Sequence, residues 1–174
     1  DALVVASGSR TVQQNGATLE VPHNGQHRPK TLTAHRWPAQ TRLLLVEDNR
    51  VNQMVVRSLL KRLGLAVDVA INGLEALHLL EAAPQNQAYT LVFMDCQMPE
   101  LDGYEASRQI GEGIASDRNR DITIIAMTAN AMKGDKEKCL EAGMNDYLAK
   151  PIDPKALSEM LQKWLLRQGD QPQV

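Results

Sequence analysis

A chain of 174 residues with 43 % apolar content is long enough for one domain with a segment to spare, and aromatics at 3 % require an aliphatic core. A net charge of −2 gives no electrostatic footing for nucleic acid. No apolar run reaches the ~20 residues of a membrane-spanning helix, no basic-then-apolar leader opens the chain, and Cys96 and Cys139 lie in unrelated elements, so reduced thiols and a cytoplasmic setting are expected.

Residues 1–40 are rich in Gly, Pro, Gln, Asn, Thr and His and carry little periodicity. They are expected to form a linker or the end of a preceding domain, with "DALVVAS" and "ATLEV" as strand candidates. A start at Asp1 rather than Met agrees with excision from a longer chain. His23 and His27 are four apart, but Pro22, Asn24 and Gly25 argue against a helix that would align them on a metal.

From residue 42 the text becomes regular. "RLLLVEDN" is a short apolar run, the first predicted strand. Val55, Leu59 and Leu63, with Val56 and Leu60, then recur at helical spacing until Gly64. "LAVDVA" is a second strand. Asn72 with Glu75 opens a second helix that continues through Leu74, Leu77 and Leu80 and carries His78 at its surface or boundary. "TLVFMD" is a third strand, and Asp102 with Glu105 opens a helix that ends near Gly111 or Ile114. "ITIIAMTA" is a fourth strand. Residues 131–142 form a polar helix containing Gly134 and closed by Gly143. "DYLAK" is a fifth strand. Asp153 caps a last helix, with Pro154 in its first turn and Leu157, Leu161, Trp164 and Leu165 on its core face. Five strand–helix alternations with continuous apolar strands predict an α/β fold: a parallel sheet with helices on both faces and a binding edge at the strands' carboxyl ends.

Four of those five ends carry polar groups: Glu47 and Asp48, Asp95, Thr128, and Lys150 before Pro151. Each has a plain alternative. Asp48 or Asn49 can cap the first helix, Asp95 can cap a turn, Thr128 suits any strand, and Lys150 suits any surface. Together they suggest more. Three carboxylates at close range repel, should raise one another's pKa values, and invite a hard cation such as Mg²⁺. With a lysine and a hydroxyl nearby, the group suits a carboxylate that accepts a phosphoryl group by in-line attack. Cys96, beside Asp95, reads as a small buried filler.

The motifs "LLLVEDNRVNQ", "LVFMDCQMPELDGYEA", "IIAMTANAM" and "NDYLAKPID" resemble, over about residues 42–167, the response-regulator receiver domain of two-component phosphorelays. That resemblance implies a flavodoxin-like, doubly wound sheet of order 2-1-3-4-5 flanked by five helices, with the domain at 41–168 and a tail at 169–174. It implies Asp95 as phosphoacceptor and Mg²⁺ held by Asp48, Asp95, the Gln97 carbonyl and, largely through water, Glu47. It implies that Thr128 and Lys150 contact the phosphoryl group, that Tyr147 is an aromatic switch, and that the Lys150–Pro151 peptide is cis. The face of the fourth helix, fifth strand and fifth helix would signal, and the polar helix 131–142 would be a low-stability element that the switch shifts.

The wording around these motifs is most like receivers of hybrid sensor histidine kinases, which makes a bacterial source the expectation. Implied partners are a histidine kinase or histidine phosphotransfer protein, with no nucleic acid and no direct membrane contact. An inner-membrane anchor in the longer protein is compatible with this reading, and this domain is expected to be a monomer or weak dimer. The chain lacks a histidine in a dimerisation-helix setting and a Gly-rich ATP box, so it is not itself a kinase; it would catalyse its own aspartyl phosphorylation and hydrolysis. Two rivals share the topology. A phosphohydrolase usually carries Asp-x-Asp after the first strand, where this chain has adjacent Glu47 and Asp48. A flavin-nucleotide module needs a phosphate loop where those two acids stand.

Overall fold

The structure is a computed structural model that describes residues 36–166. The two strand candidates and the histidine pair expected before residue 30 lie outside those residues. Five strands, β1 (Leu43–Val46), β2 (Val67–Ala70), β3 (Leu91–Asp95), β4 (Thr123–Thr128) and β5 (Asp146–Ala149), form one parallel sheet in the order β2-β1-β3-β4-β5. The connecting helices are α1 (Arg50–Arg62), α2 (Gly73–Ala82), α3 (Gly103–Glu112), α4 (Lys133–Glu141) and α5 (Pro154–Leu161), the last continued by a π turn at Gln162–Leu166. None of the described helices is long and apolar enough to cross a membrane.

The sheet divides the interior in two. Side chains alternate along each strand. Leu44, Val46, Val92, Met94, Ile124 and Ala126 therefore face one core with α2 and α3, and Leu43, Leu45, Leu91, Phe93, Ile125 and Met127 face another with α1 and α5. This double burial is why β1, β3 and β4 read as unbroken apolar runs. The edge strands are only half covered, and Asp68 on β2 reaches solvent. Buried branched side chains contribute ~1.5–3 kcal/mol each relative to exposure. The three central strands thus anchor their carboxyl ends firmly.

Boundaries follow the capping chemistry. Asn72, Asp102 and Asp153 each accept an N–H three residues on, at 2.8 Å. Gly64 and Gly143 close α1 and α4 at φ 79° and 88°, where a Cβ would be strained. The third helix ends instead at Gly113, in the same left-handed conformation. Helix α4 is shorter than its polar pattern predicts and starts at Lys133 without a side-chain cap.

Two apolar positions depart from expectation: Val55 is 45 % and Leu74 54 % exposed. Helix α1 buries the stripe through Val56, Leu60 and Leu63 instead, and α2 buries Ala76, Leu77 and Leu80. Trp37 lies in the stretch expected to be linker, yet it packs on the α1/α5 core and donates Nε1–H to the Leu63 carbonyl at 2.7 Å. That bond satisfies an orphan carbonyl at the end of α1.

Candidate phosphoacceptor site

Register sets the site. Val46 pairs with Met94 across β1 and β3, Asp95 with Met127 across β3 and β4, and Thr128 with Ala149 across β4 and β5. The residues that follow these pairs meet at one edge of the sheet. Carboxylate oxygens of Glu47, Asp48 and Asp95 lie within 4.8 Å of one another. A cleft of about 230 Å³ is lined by Glu47, Asp48, Asn52, Asp95, Gln97 and Lys150, among others.

The capping ambiguity after β1 resolves by geometry. Asn49 caps α1, its side-chain oxygen accepting the N–H groups of Val51 and Asn52 at 2.9 and 3.2 Å. That leaves Asp48, which is exposed, at the cleft. Glu47 is 1 % exposed and fixed on three sides. Its Oε1 accepts the Asn49 N–H at 3.0 Å, its Oε2 accepts from Lys150 at 2.8 Å, and its main-chain carbonyl accepts from Gln53 Nε2 at 2.7 Å.

Asp95 is 4 % exposed at the end of β3. Its Oδ2 lies 3.1 Å from Lys150 Nζ, and its Oδ1 accepts the Gln97 N–H at 3.2 Å. Lys150 comes from a cis Lys150–Pro151 junction and is tied to β4 through its N–H and the Thr128 carbonyl at 2.8 Å.

Asp95 and Glu47 shift in opposite directions. Burial, then the Glu47 charge, push the Asp95 carboxyl up to about 6 against the pull of Lys150 and the Gln97 N–H. Burial also pushes Glu47 upward, but the Lys150 and Asn49 hydrogen bonds outweigh it and hold the carboxyl below its ordinary value. The mutual upward shift expected from the sequence is therefore realised at Asp95 and reversed at Glu47. Burial lowers the Lys150 ammonium, yet its contacts with Glu47 and Asp95 carry it above the usual lysine value.

Neither Thr128 nor Tyr147 is among the residues that line the cleft. Thr128 Oγ1 donates to the Asn130 carbonyl at 3.0 Å and accepts the Asn130 N–H at 3.1 Å, which closes a tight turn into the loop before α4. Tyr147 on β5 packs partly buried against the core that contains Cys139, with Lys136 Nζ 5.5 Å from its ring centre.

Three supporting residues escaped the sequence reading: Gln53, Asn52 and Gly103. A Cβ on Gly103 would fall inside van der Waals distance of the Asp95 carbonyl oxygen, and the Gly103 N–H donates to the Cys96 carbonyl at 3.2 Å. The available signal was a glycine placed just after the capping Asp102, where a better helix former is expected.

The donor set fits a magnesium ion. It is all oxygen, and three carboxylates face one ammonium.

The order β2-β1-β3-β4-β5 with acids gathered at the carboxyl edge is that of an open, doubly wound α/β domain with its binding edge at the strand ends. The family model of the response regulator receiver domain matches residues 43–162, and the chain belongs to that family. Hybrid signal transduction histidine kinase B of Dictyostelium discoideum is 42 % identical over 145 residues, which is 78 % of this chain and 7 % of that kinase. Sensor histidine kinase GacS of Pseudomonas protegens is 32 % identical over 156 residues, 90 % of this chain and 16 % of that protein. The chain thus spans a small part of the kinases it matches. Relatives in Dictyostelium, rice and Arabidopsis as well as Pseudomonas mean that this kinship does not single out a bacterium.

Among solved structures, the receiver domain of a Pseudomonas aeruginosa sensor histidine kinase, with a magnesium ion coordinated in its active site cleft, is 46 % identical. It covers 72 % of this chain and 97 % of its own, with a TM-score of 0.63. The receiver domain of a Saccharomyces cerevisiae response regulator, co-crystallised with a histidine phosphotransfer signalling protein, is 34 % identical. It covers 77 % of this chain and 94 % of its own, with a TM-score of 0.67. The chain is a receiver domain of the two-component phosphorelay type.

Proposed function

We propose that Asp95 accepts a phosphoryl group from a phosphohistidine on a histidine kinase or histidine phosphotransfer protein, and that this event changes partner binding at the α4–β5–α5 face. The observation that carries the reading is the gathering of Asp95 with Glu47, Asp48 and Lys150 in one cleft. The yeast neighbour's co-crystallised phosphotransfer protein supports the choice of donor.

An Asp95 carboxylate oxygen attacks phosphorus, the O–P bond forms, and the P–N bond to the donor imidazole breaks. Lys150 stays within reach of the acceptor and offsets the charge gathered on the transferring group. Asp48, Asp95, the Gln97 carbonyl and, largely through water, Glu47 would hold Mg²⁺, which would supply further neutralisation of phosphoryl oxygens. Thr128 can donate to a phosphoryl oxygen only by giving up its bond to the Asn130 carbonyl, which draws on the loop before α4. Of the α4 residues only Cys139 is buried, so little packing resists that pull. Tyr147 then repacks between α4 and β5. Val51, Met54 and Val55, exposed on α1 beside the acidic edge, offer the donor an apolar rim.

Residues 41–168 make up the receiver, 1–40 a linker or the end of a preceding domain, and 169–174 a tail. The domain works in the cytoplasm as a monomer or weak dimer, within a hybrid histidine kinase. Beryllofluoride plus Mg²⁺ tests the acceptor. Wild type is expected to gain amide-exchange protection around the cleft and α4, and Asp95→Asn is expected to show none; identical responses would remove Asp95 from the role.

A further inference from the structure

The phosphoryl chemistry leaves two buried thiols unused. Cys96 directly follows Asp95 at the end of β3, and Cys139 is the buried residue of α4. Their Sγ atoms are 3.9 Å apart, at exposures of 2 % and 1 %. The two sulfurs come from separate elements 43 residues apart in the chain and are already in contact, which places the pair where a cross-link could form. A disulfide needs an S–S distance of ~2.0 Å. One partner must therefore approach by about 2 Å.

The two sides are unequally held. The main chain of Cys96 is locked by its N–H to the Met127 carbonyl at 3.1 Å and its carbonyl to the Gly103 N–H at 3.2 Å. Helix α4 begins without a side-chain cap, and its residues other than Cys139 and the half-buried Asp135 are exposed. It is the element free to move. Both sulfurs are buried beneath α4, so an oxidant reaches the pair when α4 opens.

We propose that Cys96 and Cys139 form a redox modification site at which a peroxide-class oxidant makes a disulfide that pins α4 to the end of β3. One sulfur attacks a peroxide oxygen, the O–O bond breaks, and a sulfenic acid and one water result. The second sulfur attacks the sulfenic sulfur, the S–S bond forms, and a second water leaves. The thiol pair loses two electrons and the peroxide gains them. The site stands on the sulfur geometry alone. Its consequence rests on the phosphoryl reading above: an α4 tied to the residue beside Asp95 cannot make the switching movement.

The full 174-residue chain is treated with hydrogen peroxide, its remaining thiols are alkylated after denaturation, and its peptides are mapped. Wild type is expected to lose both free thiols and yield a Cys96–Cys139 linked peptide within one chain, while Cys96→Ser and Cys139→Ser yield none. Absence of that peptide, or links only between chains, overturns the site. Amide exchange of α4 with beryllofluoride and Mg²⁺ is then compared. The reduced chain is expected to respond, the oxidised chain at least ~10-fold less, and dithiothreitol to restore the response. An equal response in both states overturns the pinning. A reduced chain that does not respond counts against the phosphoryl reading, and the linked peptide still decides the thiol site.

Discussion

Lys150 is shared between two acids from different strands: its ammonium lies 2.8 Å from Glu47 Oε2 and 3.1 Å from Asp95 Oδ2. Glu47 is buried, and Lys150 is its one ion-pair partner among the described residues, so removing Lys150 strands two carboxylates. Lys150→Met is expected to cost about 3 kcal/mol of stability at pH 7, read by urea unfolding, and much less at pH 5, where Asp95 takes up a proton. Phosphorylation by acetyl phosphate is expected to slow by ~100-fold or more.

The Asp95 carboxyl is raised to about 6 in the folded chain, so folding favours its protonated form. Stability from this group is full below its unfolded value and is lost as pH rises through about 6. Asp95→Asn is therefore expected to stabilise the metal-free domain at pH 7 by on the order of 2 kcal/mol, with the gain vanishing near pH 4. Thermal unfolding from pH 4 to 8 checks this. Added Mg²⁺ should raise the wild-type melting temperature more than that of the variant.

Two glycines make opposite predictions. Gly103→Ala drives a methyl into the Asp95 carbonyl, and is expected to cost about 2–3 kcal/mol and weaken Mg²⁺ binding measured by calorimetry. Gly134, within α4, has open space where its Cβ would stand. Gly134→Ala is expected to stabilise by about 1 kcal/mol and to leave Mg²⁺ affinity unchanged.

Thr128→Ala removes the hydroxyl that closes the turn to Asn130. Asp95 is expected to remain phosphorylatable, at a stability cost of about 1 kcal/mol, while the amide-exchange response of α4 to beryllofluoride disappears. Thr128→Ser should restore it. A full α4 response in Thr128→Ala would remove the hydroxyl from the switch.

The strands were legible because β1, β3 and β4 are buried on both faces and carry apolar residues without interruption. The caps Asn72, Asp102 and Asp153 were legible because the chemistry is local. Helix faces were less so: Val55 and Leu74 share the spacing of core residues but fall on the solvent side, since helical periodicity fixes a stripe and not its width. The acids were visible as successive strand ends. Their unequal titration was not, because it depends on Lys150, 103 residues from Glu47, and on the Asn49 N–H. The close approach of Gly103 to Asp95 and the contact of Cys96 with Cys139 likewise arise only when β3, α3 and α4 pack together.

The central claim, that Asp95 is the acceptor, is met most directly by transfer from a phosphohistidine. A histidine phosphotransfer protein labelled on its histidine is mixed with the chain and Mg²⁺, and the labelled residue is mapped by peptide mass spectrometry. The account predicts that label moves to the chain, resides on Asp95 as a hydroxylamine-sensitive acyl phosphate, and is absent from Asp95→Asn. Label on any other residue, or equal uptake by Asp95→Asn, would contradict it.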